Sequence, residues 1–214
     1  MSDAALSDAE RLVRTIAEAV LENEKYFSDL DAVVGDGDFG YSLARGFGKL
    51  LEDWDSLEYD DVSGLLKKTA IVLSSRIGGT SGPIWGTAFL RAGTALKDSP
   101  DPGGEDAVAA LRAAIEGIKQ RGNSDLGDKT LLDSLIPATD KLEEELGNGA
   151  GAADALTAAA ATARESAEAT KTMLAKRGRA SYAGERSQDS VDAGAMGIAV
   201  LFESVSKEWS PTSV

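Results

Sequence analysis

Two residue types are missing from this chain of 214 residues: it has no cysteine and no histidine. Without cysteine there is no disulfide, no thiolate metal site and no thiol nucleophile. The missing imidazole excludes more, because Ser-His-Asp chemistry, phosphohistidine intermediates and the usual zinc sites all depend on it. Basic residues are scarce, with 22 Lys and Arg against 36 Asp and Glu and a formal net charge of -14. That balance argues against sequence-independent binding to nucleic acid or to an anionic membrane. Any phosphate handled here has to arrive with a cation. No run approaches the roughly 18 apolar residues of a spanning helix. The opening MSDAALSDAERLVR lacks the basic flank and apolar core of a leader, so the expected compartment is the cytoplasm.

No two-residue alternation of apolar side chains occurs either, whereas spacing of three and four runs almost throughout. Leu12, Val13, Ile16, Val20 and Leu21 make the first stripe, with Ser7 and Glu10 reading as a capping box before it. Further stripes are Leu43, Phe47, Leu50, Leu51 and Trp54; Val62, Leu65, Leu66, Thr69 and Leu73; and Trp85, Ala88, Phe89, Ala92 and Leu96. A fifth holds Val108, Leu111, Ile115 and Ile118, and a sixth, perturbed by Pro137, holds Leu132, Leu135, Ile136, Leu142 and Leu146. The alanine-rich run from Ala152 to Ala175 is the seventh, and Ile198, Leu201, Phe202 and Val205 the eighth. The segments SPDPGG at 99–104 and GNGAG at 147–151 read as turns between helices. The expectation is an all-α, up-and-down bundle of about eight antiparallel helices forming one domain over 1–214.

Three glycine-bearing joints differ from plain turns. The first, DAVVGDGDFG at 31–40, sets Asp31, Asp36 and Asp38 among glycines. Held together, each pair of carboxylates repels by roughly 4 kcal/mol at about 4 Å and an effective dielectric near 20. A solvated acidic turn would avoid that by splaying; a bound cation would offset it. An EF-hand does not fit, since counting from Asp36 puts Gly40 fifth and Phe47 twelfth, where a closing glutamate belongs. The kinase-like tripeptide Asp38-Phe39-Gly40 lacks the His-Arg-Asp loop it would need. A magnesium site survives, because Mg²⁺ prefers hard oxygen ligands and commonly bridges carboxylates to phosphates.

In the second joint, RIGGTSGP at 76–83, glycines let backbone N–H groups approach an anion and Pro83 suits the first turn of a helix. It reads as a phosphate cradle or as an ordinary helix joint. A P-loop is excluded, for no GxxxxGK[ST] sequence occurs. The third, KRGRASYAGERS at 176–187, gathers Lys176, Arg177, Arg179 and Arg186 in an otherwise acidic protein. It is either a charged helix end or a set of phosphate-recognising forks. GDKT at 127–130 is too short to carry a reading of its own.

Taken in order, LDAVVGDGDFG, GGTSGPIWGT, RGNSDLGDKTLLDSLIPA and TKTMLAKRGRASYAGERSQDSVDAGA resemble the nucleotide-binding L subunit of dihydroxyacetone kinase, over nearly the whole chain. The resemblance implies an eight-helix barrel with ADP or ATP at its loop-bearing end and two Mg²⁺ ions between the phosphates and Asp31, Asp36 and Asp38. It implies phosphate contacts from Thr80 and Ser81 with Gly79, and from the segment Phe39, Gly40, Tyr41 and Ser42. It implies Gly122 and Leu131 on the base side, Asp192, Ala193 and Gly194 completing the pocket, and Arg179 facing the transferring group as the catalytic residue. The family usually has a histidine where this chain has Phe39, and small polar or amide residues where it has Tyr41 and Ser42.

The resemblance also implies partners. A separate K subunit grips a short ketose through a histidine, which this chain lacks, so the chain presents a nucleotide phosphoryl group to a substrate held elsewhere. A phosphotransferase-system protein that rephosphorylates resident ADP is the favoured donor, and exchanging ATP, with dihydroxyacetone or erythrulose as acceptor, is the alternative. A second alternative is a nucleotide-sensing module that docks on a transcription factor.

Overall fold

The computed structural model describes residues 3–209, and among these every regular element is helical. The α-helices are α1 (Asp3–Glu22), α2 (Glu24–Asp31), α3 (Phe39–Glu52), α4 (Val62–Arg76), α5 (Ser81–Ala95), α6 (Gly104–Gly122), α7 (Leu132–Gly147), α8 (Ala152–Ala169) and α9 (Ala193–Trp209). Short 3₁₀ segments occupy Trp54–Ser56, Thr170–Thr172 and Arg179–Ser187. No helix among the described residues is long and apolar enough to cross a membrane.

The chain divides into two compact units: the described residues of Met1–Glu24 with Phe39–Asn123, and those of Lys25–Asp38 with Ser124–Val214. In the first, α3 packs on α1 and α4, α4 on α5, and α5 on α6. Phe47 is fully buried and meets Trp85 edge-on, with ring centroids 5.8 Å apart. Burying a side chain of that size contributes about 1.5–3 kcal/mol. The α4–α5 seam is tight because it uses glycine: a Cβ at Gly93 would lie 2.9 Å from the Ser63 carbonyl oxygen. The Ser63 hydroxyl donates to the Gly93 carbonyl across the same seam, at 2.7 Å.

The second unit achieves close packing with alanine. Ala138 of α7, Ala163 and Ala167 of α8, and Ala195, Met196 and Ala199 of α9 form one buried cluster, joined by Leu30, Val191 and Phe202. Alanine is the strongest helix former and adds no side-chain entropy cost, so a run of it makes a stable helix that neighbours can approach closely. The Ser134 hydroxyl donates to the Ala163 carbonyl at 2.9 Å, and Arg164 grips Glu203 with two bonds of 2.8 and 2.7 Å.

Four details bear on the expected pattern. Ser7 and Glu10 lie inside α1, which begins before them, so they form no capping box. The stripe ending at Trp54 is interrupted, because α3 stops at Glu52 and Trp54 packs from a 3₁₀ turn under the Arg14 guanidinium, 4.2 Å from the ring centre. A ninth helix, α2, spans eight residues and buries only Phe27, which is too few apolar residues to show a period. Pro137 falls within α7, which continues through it, giving up the bond its missing N–H would make.

Candidate functional site

The second unit holds the three aspartates. Asp31 ends α2, and the following loop folds back on it: the Gly35 N–H donates to the Asp31 carbonyl at 2.6 Å and the Gly37 N–H to the Asp31 carboxylate at 2.9 Å. Both glycines are required by the geometry. A Cβ at Gly35 would collide with the Asp31 side chain, lying 2.8 Å from its Cγ, and Gly37 has φ +75°, a left-handed conformation. The loop thereby brings Asp36 and Asp38, both exposed, beside partly buried Asp31, with one carboxylate oxygen of each within 4.8 Å of the others.

Arg179 answers part of that charge. Its guanidinium contacts the Asp36 carboxylate and lies 3.8 Å from that of Asp38. Among these four groups three negative charges meet one positive, leaving two uncompensated. An all-oxygen, anionic donor set with that residual charge fits a hard divalent cation.

Arg179 opens a 3₁₀ segment and follows Gly178, whose φ is +64°. The surrounding strap, 173–192, carries few buried side chains and is held largely by polar bonds to the 124–133 segment. Lys129 is 2 % exposed, and its ammonium donates to the carbonyls of Met173 at 3.1 Å, Ser190 at 2.7 Å and Ser187. Desolvation pushes its pKa down, partly countered by Asp192 and Asp189. Asp128 accepts from the Lys176 ammonium at 3.3 Å, stands 3.4 Å from the Arg177 Nε, and its carbonyl accepts from the Lys176 N–H at 3.1 Å. The Asp133 carboxylate, buried to 2 % exposure, accepts from the N–H groups of Gly127 at 2.6 Å and Thr130 at 2.7 Å. Sequence reading passed over Asp128, Lys129 and Asp133; the only signal was the short GDKT.

Asp192 precedes α9 and caps it, its carboxylate accepting from the Ala195 N–H at 2.8 Å. Burial of the carboxyl pushes its pKa up to about 6, against the lowering effect of its backbone bond to Ala195. A Cβ at Gly194 would sit 3.3 Å from the Leu131 Cβ, so the α9 start, Asp192 to Gly194, and Leu131 are immediate neighbours.

The remaining candidates lie in the first unit, at helix ends. Partly buried Phe39, buried Gly40, exposed Tyr41 and buried Ser42 form the first turn of α3, and Arg45 lies over the Tyr41 ring. Gly79, at φ +61°, and Thr80 lead into Ser81 at the start of α5. Thr80 makes no side-chain capping bond to that helix. A Cβ at Gly78 would lie 3.4 Å from the Ser42 Oγ, so the beginnings of α3 and α5 are adjacent. Two helix N-termini side by side present their positive dipole ends to an anion. Gly122 is the last residue of α6, before left-handed Asn123.

Residues 33–207 match the DAK2 domain. The chain is 36% identical over 195 residues to the ADP-binding subunit of PEP-dependent dihydroxyacetone kinase 1 of Listeria innocua, an alignment covering 91% of this chain and 92% of that one. It is 35% identical over 179 residues to the corresponding Escherichia coli subunit, covering 84% and 85%. The L-erythrulose 1-kinase of Mycolicibacterium smegmatis is 34% identical over 202 residues, 91% of this chain but 34% of that longer protein. The crystal structure of the dihydroxyacetone kinase from C. freundii in complex with AMP-PNP and Mg²⁺ superposes with a TM-score of 0.75 at 25% identity, over 97% of this chain and 34% of that one. The ordered aspartate, glycine and arginine segments, the helical architecture and the extent of these matches lead to one conclusion: the chain belongs to the DAK2 family, as a dihydroxyacetone kinase L subunit.

Proposed function

We propose that this chain binds ADP or ATP with magnesium and passes a phosphoryl group from the nucleotide to a short ketose held by a separate K-type subunit. The observation that carries the reading is the cluster of Asp31, Asp36 and Asp38 countered by the single guanidinium of Arg179. Asp31, Asp36 and Asp38 would hold the metal, as two Mg²⁺ ions. Bound magnesium neutralises phosphate oxygens and orients the transferable group. Gly79, Thr80 and Ser81, with Phe39, Gly40, Tyr41 and Ser42, would bind phosphates; Gly122 and Leu131 would flank the base; Asp192, Ala193 and Gly194 would complete the pocket. Arg179, with its planar fork of donors, would stabilise charge on the transferring group. The ketose stays outside this chain's reach, since no histidine is available to hold it.

The donor is a phosphotransferase-system protein acting in the cytoplasm, and ADP stays bound between turnovers. Support comes from the relatives named as PEP-dependent, which this chain covers almost end to end. Phe39 weighs against retention: losing one hydrogen bond to a charged group costs about 1.5–3 kcal/mol. The two Mg²⁺ ions, the glycine-rich loop and Arg179 remain to hold the nucleotide. Calorimetry of ADP binding with magnesium and with chelator tests the core reading; metal-independent binding of equal affinity would remove it. Release of labelled ADP into excess unlabelled ATP, compared with turnover, tests the donor: release as fast as turnover would assign free ATP instead.

A further inference from the structure

We propose that Lys129 is the positioning residue for Arg179, tying together both ends of the strap that carries it. This rests on the reading of Arg179 as the group that meets the transferring phosphoryl. An ammonium has three N–H donors and no acceptor. Here all three are spent on backbone carbonyls: Met173 lies before Arg179, and Ser187 and Ser190 lie after it. One buried charge therefore pins residues 173 and 187–190 to the same point, and the segment between them, including Arg179, is closed into a loop.

Besides Lys129, the loop is closed by a buried bond from the Ala175 N–H to the Ser187 hydroxyl at 3.0 Å and touched at its tip by Asp36, and few of its side chains are packed. Between 174 and 186 only Ala175 is buried, and Tyr182 is 89 % exposed. Its other ties to the 124–133 segment come mainly from Lys176 and Arg177, whose ion pairs with Asp128 are exposed on the basic side and weakened by solvent. The Lys129 end is rigid by contrast. Its backbone adopts φ +60°, which a residue with a Cβ seldom does, and the neighbouring Gly127 and Thr130 amides are both taken by the buried Asp133 carboxylate.

A buried ammonium on neutral carbonyls is an expensive way to stabilise a fold, because an apolar side chain of similar size avoids the desolvation cost. What it supplies is geometry. Phosphoryl transfer depends on placement, and a displacement of about 1 Å at the reacting groups costs on the order of a hundredfold in rate. Asp192 and Asp189 are the carboxylates that act on the ammonium through space, and they oppose the lowering of its pKa by burial.

Two readouts test this. The strap contains tryptic sites at Lys176, Arg177, Arg179 and Arg186. In Lys129→Met, cleavage at these sites should accelerate about tenfold or more while sites in α1 to α6 stay protected, since local opening exposes only the freed segment. This arm needs neither nucleotide nor partner, so it decides the strap even if the kinase reading fails. With the ketose-holding partner, turnover should fall about tenfold or more and nucleotide affinity by less than about threefold. In the Arg179→Gln background the same substitution should cost nothing further, because Lys129 acts through Arg179. The natural chain has no cysteine, so Lys129→Cys can be aminoethylated while unfolded and refolded with a lysine-like side chain. That product should regain both the protection and the turnover. Unchanged strap cleavage, cleavage spread over the whole chain, additive loss with Arg179→Gln, or no recovery on aminoethylation would each overturn the assignment.

Discussion

The guanidinium of Arg179 stands against the carboxylate of Asp36, 143 residues earlier in the chain, and 3.8 Å from that of Asp38. One exposed strap is thus anchored at its tip by the acidic loop and at its base by Lys129. The pairing is exposed, so its worth as a stabilising contact is small. Its consequence is chemical: on the proposed reading, the same side chain would meet both the carboxylates that hold the cation and the anion that the cation brings.

Removing one carboxylate should therefore change metal-dependent binding far more than stability. Asp36→Asn and Asp38→Asn each delete an anionic oxygen at an exposed position. Each should weaken magnesium-dependent nucleotide binding by about tenfold or more, which is about 1.4 kcal/mol or more, with little change in thermal midpoint. Calorimetry and thermal unfolding measure the two effects side by side, and full affinity in either variant would reassign the loop.

Gly35→Ala reaches the same loop through sterics. The added methyl would lie 2.8 Å from both the Cγ and the carbonyl oxygen of Asp31, so the loop has to shift. Overpacking of this kind costs about 1–3 kcal/mol. We expect a matching drop in urea stability together with lost magnesium-dependent nucleotide binding; wild-type values for both would show that the turn has room to spare.

Arg179→Lys keeps the charge and removes the planar fork. Turnover with the K-type partner should fall about tenfold or more, equal to about 1.4 kcal/mol of barrier, with nucleotide affinity less affected. Steady-state kinetics beside equilibrium binding separate the two, and unchanged turnover would give Arg179 a surface role.

The isolated chain, supplied with ATP and magnesium, should form no dihydroxyacetone phosphate. It has no histidine with which to hold a ketose. Product formation by rigorously purified protein, measured by coupled assay, would contradict the division of labour proposed above.

Asp192 supplies a pH signature. Its folded-state pKa is raised to about 6, above the ordinary carboxylate value of 3.8, so the folded form holds the proton more tightly than the unfolded one. The contribution to stability is therefore full below about pH 4 and is lost as pH rises from about 4 to 6; fully developed, the loss is about 3 kcal/mol. Asp192→Asn keeps an oxygen acceptor for the Ala195 N–H and removes the ionisation. The variant should be the more stable protein at pH 7, and its advantage should vanish near pH 4. Urea denaturation across that range measures it, and an advantage independent of pH would assign the gain to something other than ionisation.

Much of this protein was legible in local sequence. Helical spacing identified the long helices, because each buries one face and the period follows from the turn of the helix itself. The aspartate loop was legible for a related reason: Asp31, Asp36 and Asp38 lie within eight residues, and Gly35 and Gly37 are what such a tight return demands. Where local pattern was weak or ambiguous the reading failed, as with α2, whose single buried side chain shows no period, and with Ser7 and Glu10, which imitate a cap inside a helix that starts earlier. Lys129 was beyond any such reading. The carbonyls it binds are 44, 58 and 61 residues away, every residue has a carbonyl, and nothing in a lysine's neighbours says that its ammonium is buried. Backbone period and turn chemistry are properties of a few consecutive residues, whereas the closure of the Arg179 strap depends on where distant main chain comes to rest, and only the folded structure decides that.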